Sequence, residues 1–406
     1  MRGLVPYEDS PVDEIRSATR SAFRSVVKDA IKNDVHLVVI AGDLYDGSWK
    51  DYNTGLFVVS QLGELHDAGI PVAIVLGNHD AESVVTRQLR LPPNTTQLSS
   101  GVPETAIIGD TGMAVHGQSY AERAVLEDLS LGYPLADPGL VNIGLLHTCL
   151  DGRPGHEPYA PCTIEGLRSK GYDYWALGHV HGFAIVNNDP LAIFSGNLQG
   201  RHVRETGAKG ACLVTFQDKQ PTVERLIYQF VRWEVCTVDV STLRTLDECL
   251  DRCREELIKV VDSGADIYAI RVIFVGSCVA NRSLRSQNPH LTAEVRALAS
   301  VLGGPEIWIE KVGVETSQPR SNLEFTGEGV AGEIGRVLDD LRANVGTILD
   351  PKAPLVPELV NLRSQLRATG GDLVDALSAE EISEALGDAA ELLTSLMGIE
   401  ELDDED

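Results

Sequence analysis

The chain has 406 residues, 43% of them hydrophobic, and a mean hydropathy of −0.04, enough for one large core and a smaller second one. Its formal net charge of −26 disfavours a broad basic surface for a polyanion, because such binding rests on Lys and Arg neutralising phosphates. No run approaches the roughly 18 to 20 apolar residues of a membrane helix, and the proline-broken start is unlike a signal peptide, so a cytoplasmic protein with no membrane attachment is expected.

Residues 11–33 are predicted to form a helix, with Ser10 as N-cap, Pro11 at the first helical position and Asp13 completing a capping box. An apolar run at 35–40, a helical stretch at 52–68 and a second apolar run at 72–76 follow, an alternation that implies a parallel sheet. Strand-like segments then come close together at 106–108, 113–117, 141–146, 174–177, 183–186, 191–194 and 211–216. Two packed sheets flanked by helices fit this series, giving an α/β fold class.

From about residue 233 the pattern restarts as a strand, a helix at 245–261, a strand at 267–275, a helix at 291–302 and a strand at 307–314. The expected organisation is a first domain over 1–232, a small α/β domain over 233–316, and a linker with a helical C-terminal region over 317–406. Residues 382–396 are amphipathic enough to dock on a partner helix or on their own chain, and the acidic run at 400–406 reads as a solvated end. Seven cysteines lie scattered without a C-x-x-C pair, which signals neither a disulfide framework nor a zinc site. Cys249 and Cys253, one helical turn apart, read as core.

Four motifs stand at predicted strand ends, where open α/β sheets present ligands. Gly42-Asp43-Leu44-Tyr45-Asp46 follows the first apolar run, and Gly77-Asn78-His79-Asp80 follows the second. His147 ends the run at 141–146, and Gly178-His179-Val180-His181 follows that at 174–177. In an extended segment residues i and i+2 point the same way, so His179 and His181 are expected to serve one site. A carboxylate, an amide oxygen and imidazoles together suit borderline divalent ions such as manganese, iron or zinc.

In this order the motifs resemble the calcineurin-like metallophosphoesterases, over about residues 5–232. Gly42 to Asp46, the segment Ser195-Gly196-Asn197-Leu198-Gln199-Gly200-Arg201 and the appended small domain resemble the bacterial DNA-repair exonuclease branch, relatives of the Mre11 and SbcD nucleases, and most of all the YhaO-type subfamily. The resemblance implies two divalent ions, manganese by preference, bridged by Asp43. Asn78, His147 and His179 would complete one ion's ligands and His181 would bind the other. It also implies that His79 stabilises charge at the phosphate or donates a proton while Asp80 orients its ring, with Asp46 behind the ligands.

The family's first motif, Asp-x-His at the end of an N-terminal strand, is expected to fall before Arg2-Gly3-Leu4 and so to be missing, through a misassigned start or a truly shortened protein. The sequence's own Asp34-Val35-His36 precedes a strand instead of following one and reads as a turn. Without the missing strand its neighbours are expected to expose unpaired backbone and apolar surface.

Arg201, Arg204 and Lys209 are candidate phosphate contacts, or equally a solvated loop. Trp175 and Phe183 read as core aromatics, and His36, His66, His116, His156, His202 and His290 as surface or core residues. The function implied by the resemblance is a DNA exonuclease subunit working with a large coiled-coil ATPase, a homodimer being left open. Two alternatives stand beside it: a phosphodiesterase or phosphatase for a small molecule or nucleotide, and a catalytically impaired subunit that binds a partner.

Overall fold

The computed structural model describes residues 12–45, 52–81, 90–150, 159–261, 264–286, 288–319 and 336. Ser10, Pro11, Asp46, His156, the segment at 382–396 and the acidic run at 400–406 lie outside them. Two compact units are present: Met1–Cys236 with Arg254–Val272 and Thr292–Val312, and Thr237–Cys253 with Ile273–Leu291 and Gly313–Asp406. No helix among the described residues is long and apolar enough to cross a membrane.

The first unit opens with α1 (Val12–Lys32), whose Asp13 and Glu14 in the first turn and Lys32 in the last complement the helix dipole. Asp34, at φ 49°, turns the chain out of α1, and the Val35 N–H still caps Ala30 O at 3.1 Å. That cap delays the first strand, so β1 spans Val38–Ala41 and not 35–40. Asp34-Val35-His36 thus lies at the opposite end of β1 from Asp43.

Then come α2 (Tyr52–Asp67), β2 (Val72–Val75) and β3 (Thr95–Gln97), which form a parallel sheet in the order β1-β2-β3. Val27 and Ala30 of α1 pack with Val58, Leu62 and Leu65 of α2 against Val72 and Ile74 of β2.

A second, six-stranded sheet has the order β4-β5-β6-β7-β9-β8. Its strands are β4 (Glu104–Ile108), β5 (Met113–Gly117), β6 (Val141–His147), β7 (Tyr174–Gly178), β8 (Ala184–Asn188) and β9 (Leu191–Phe194). The two-residue period of a strand divides β7 between two cores. Tyr174 and Ala176 join Ala73 and Val75 of β2 with Ile143 and Leu145 of β6, filling the space between the sheets. Trp175 and Leu177 turn to the other face, against Tyr133, Leu146, Leu167 and Phe194. This is the two-sheet, helix-flanked α/β architecture expected of a metallophosphoesterase sandwich, and Trp175 is a core residue in it.

The hairpin of β10 (Gly210–Gln217) and β11 (Gln220–Ile227) adds Val214, Phe216 and Val223 to the inter-sheet core. Among the described residues β1 pairs only with β2, and its four apolar residues are all half-buried while those of β2 are fully buried. A cavity of about 1740 Å³ runs beside it, lined by Phe23, Val39, Ile193, Val214, Phe216 and Tyr228 among others, and its wall also includes Asp43, His79, His179 and His181.

A three-stranded sheet follows the order β12 (Val231–Asp239), β13 (Ile267–Ser277) and β14 (Glu306–Ser317), with helices at Leu246–Val260, Asn281–Ser286 and Asn288–Val301 between its strands. In the second unit Cys249, Cys253 and Cys278 are buried thiols, so the turn-spaced cysteines are core.

Candidate metal centre

Each motif sits at the carboxyl end of a strand. Gly42 and Asp43, at φ 90° and 53°, turn the chain sharply after β1, and the Asp43 carboxylate swings back to accept the His79 N–H on Oδ1 at 3.0 Å. Asn78 and His79 begin a four-residue helix, α3 (Asn78–Ala81), directly after β2. His147 is the last residue of β6, fully buried. His179 follows β7 at φ 95°, so the segment bends and the expected extended alternation of His179 and His181 does not hold.

Asp43, His147 and His179 bring ligand atoms within 4.8 Å of one another. His147 Nδ1 lies 2.8 Å from Ala41 O, and a carbonyl can only accept, so Nδ1 carries the proton. Burial lowers the pKa of this imidazole, with Asp43 pulling the other way, and the neutral ring then presents a bare lone pair at Nε2. That lone pair faces Asn78 Oδ1 at 2.9 Å and Asp43 Oδ2 at 3.5 Å. Three acceptors therefore converge with no proton between them, an arrangement that fits a bound cation.

The packing leaves no room for side chains around these groups. A Cβ on Gly77 would strike Asp43 Oδ1 and His147 Cε1, and one on Gly178 would strike the Ala41 carbonyl that fixes the His147 tautomer. The Tyr120 hydroxyl, buried, donates to His147 O at 3.0 Å.

Asp80 is 1% exposed and accepts backbone N–H groups from Tyr45 at 2.8 Å, Gly77 at 3.0 Å and Leu44 at 3.2 Å, which ties the loops after β1 and β2 together. Burial pushes its carboxyl up to about 7, against the Gly77 hydrogen bond. His79 is half-buried on the cavity wall.

His181 stands apart from the acceptor group. Its Nδ1 lies 2.7 Å from Oε1 of Glu205, a carboxylate only 4% exposed that sequence reasoning missed. Arg201 also serves Glu205, through its main-chain N–H on Oε2 at 2.8 Å and its guanidinium on Oε1 at 3.1 Å, and His202 Nε2 is 3.8 Å away. Burial works against the charge on Glu205, but the His181 and Arg201 hydrogen bonds outweigh it and hold the carboxyl well below its ordinary range. Lys209, buried rather than solvated, donates to His181 O at 3.2 Å. Arg204 is exposed. The only signal for Glu205 in sequence was its place four residues after Arg201, while its main partner lies 24 positions away.

Comparison with known proteins bears on the same residues. The family described as calcineurin-like phosphoesterase matches residues 16–183, and that described as metallophosphoesterase YhaO, middle domain, matches residues 233–317. The chain is 31% identical over 267 residues to "Uncharacterized metallophosphoesterase YhaO" of Bacillus subtilis (strain 168), covering 65% of either chain. It is 25% identical over 237 residues to "DNA double-strand break repair protein Mre11" of Sulfurisphaera tokodaii, covering 55% of this chain and 60% of that one. A protein of the same description from Methanopyrus kandleri is 28% identical over 290 residues, 61% of this chain and 60% of its own. The chain spans less than two thirds of the length of these relatives.

Proposed function

We infer that this chain, which carries a calcineurin-like metallophosphoesterase domain of the YhaO-like kind, is a metal-dependent phosphodiesterase that shortens DNA from an end. The observation that carries the chemistry is the convergence of His147 Nε2, Asn78 Oδ1 and Asp43 Oδ2 without a proton. Asp43, Asn78, His147 and His179 would hold one divalent ion, and Asp43 and His181 would hold a second, manganese being the ion of choice. Bound there, such ions polarise a phosphodiester and lower the pKa of water to near neutrality.

The remaining residues position and neutralise. His79, on the cavity wall, stabilises charge at the phosphate or gives a proton to the leaving oxygen. Asp80 supports it by fixing the loop on which it stands, and the supporting role behind the ligands falls to Asp46 by resemblance alone. Arg201 and Arg204 are the phosphate contacts assigned to the loop after β9.

The two relatives described as DNA double-strand break repair proteins support the DNA reading, and a large ATPase partner and a cytoplasmic place are part of the same proposal. The division into a phosphoesterase domain over 1–232, a small domain over 233–316 and a C-terminal region is part of the same reading, supported by the middle-domain match at 233–317. One observation favours a second reading, hydrolysis of a small phosphoester: the net charge of −26 repels a polyanion.

Manganese-dependent cleavage of linear duplex DNA by the full chain, beside Asp43→Ala and His79→Ala, decides between them. Cleavage lost in both variants is expected. Turnover of a chromogenic diester with no cleavage of DNA, alone or with the ATPase, would hand the site to the second reading.

A further inference from the structure

Within the first unit, one loop grips His181 at three points. Glu205 takes the ring at Nδ1, while the Lys209 ammonium and the Asn197 N–H both donate to the His181 carbonyl, at 3.2 Å each. Burying a carboxylate costs several kcal/mol unless it is fully hydrogen-bonded. Glu205 meets that condition with His181 on one oxygen and Arg201 on both. A merely structural ion pair would be complete with Arg201 alone, so the imidazole in the pair calls for a reason. A carboxylate on one ring nitrogen fixes the tautomer and sets the direction of the other nitrogen.

We propose that Glu205 is a positioning residue, whose buried carboxylate holds His181 with Nδ1 protonated and Nε2 turned to the cavity that Asp43 lines. Arg201 is then the brace of Glu205, and its phosphate role is secondary to that brace. The inference rests on the cation site proposed above for its consequence, but the tautomer itself does not depend on a bound ion.

The test uses the full chain with ¹⁵N-labelled histidine, the His181 signals being assigned with His181→Gln. In metal-free protein, long-range proton–nitrogen spectra are expected to show His181 protonated at Nδ1. Glu205→Leu is expected to move the proton toward Nε2, and Glu205→Gln, which keeps an accepting oxygen, to restore the wild-type pattern in large part. Manganese affinity by calorimetry should fall roughly tenfold to a hundredfold in Glu205→Leu and less in Glu205→Gln.

If Glu205→Leu unfolds, Glu205→Gln carries the test through its weakened manganese binding. A variant that keeps both the Nδ1 proton and wild-type affinity overturns the positioning role while leaving the cation site intact, provided Asp43→Ala has lost binding. If Asp43→Ala binds manganese as well as wild type, the cation site itself falls and the spectra still decide the tautomer.

Discussion

Two buried histidines each face the side-chain oxygen of an asparagine, and they do so in opposite protonation patterns. His116 Nε2 lies 3.1 Å from Asn142 Oδ1, and Nδ1 lies 2.9 Å from the Thr105 hydroxyl. The Asn142 amide nitrogen is spent on Asp137 O and Leu140 O, so its oxygen accepts and His116 donates from Nε2. Every group there has a complement. His147 spends its proton on Ala41 O and turns a lone pair toward Asn78 Oδ1, where no donor among the described residues complements it. The same pair of residue types is structural in one sheet position and, on the proposed reading, a ligand set in the other, and the partner of the second ring nitrogen decides which.

Exchanging the two histidines for glutamine separates the roles most sharply. His147→Gln is expected to weaken manganese binding by more than the roughly hundredfold typical of a supporting residue, with DNA cleavage lost, while His116→Gln leaves affinity within about twofold. Titration calorimetry on both variants reads the difference, and equal losses would erase the distinction.

The stability of the metal-free protein should show the reverse order. Asn142→Ala deletes a side chain that accepts from Asp137 N and His116 and donates to two carbonyls, and is expected to cost about 2–4 kcal/mol in urea unfolding. Asp43→Asn puts an amide in place of one of three crowded acceptors and should cost nothing or stabilise by up to about 1 kcal/mol. A destabilised Asp43→Asn would mean that the metal-free centre is already balanced.

Much of this contrast is legible in the sequence. Asp43, Asn78, His147 and His179, drawn from the four motifs, come together because parallel strands deliver their carboxyl ends to one side, and the strand at 113–117 is where periodicity puts it. What hid was long-range or irregular. Glu205 carries no local signal because the residue that makes it a partner, His181, is distant in sequence. His179 departs from the strand pattern by a single positive φ, which no side-chain alternation reveals. β11 escaped because Pro221 and the charges of Glu224 and Arg225 mask an alternation that packs Val223 inward. β3 is only three residues long.

The smallest effect is the pH response of the structural histidine. Burial lowers the His116 pKa below its ordinary value of about 6.5, with the Asn142 hydrogen bond pulling upward. For a base depressed by folding, the unfolded chain binds more protons once pH drops below that ordinary value, so the stability is complete above it and is lost as pH falls toward the folded pKa. His147 carries the same sign, while the Asp80 carboxyl, raised to about 7 by burial, carries the opposite one, so the wild-type slope between about pH 7.5 and about pH 5.5 is the sum of opposed contributions. His116→Gln retains a donor for Asn142 and removes one titrating ring, so on acidification the metal-free variant should lose less thermal stability than the metal-free wild type. A slope unchanged in His116→Gln would mean that His116 titrates in the fold as it does in the open chain. The neutral donor in the β5–β6 pair, against which the His147 centre is measured, would then have to be given up.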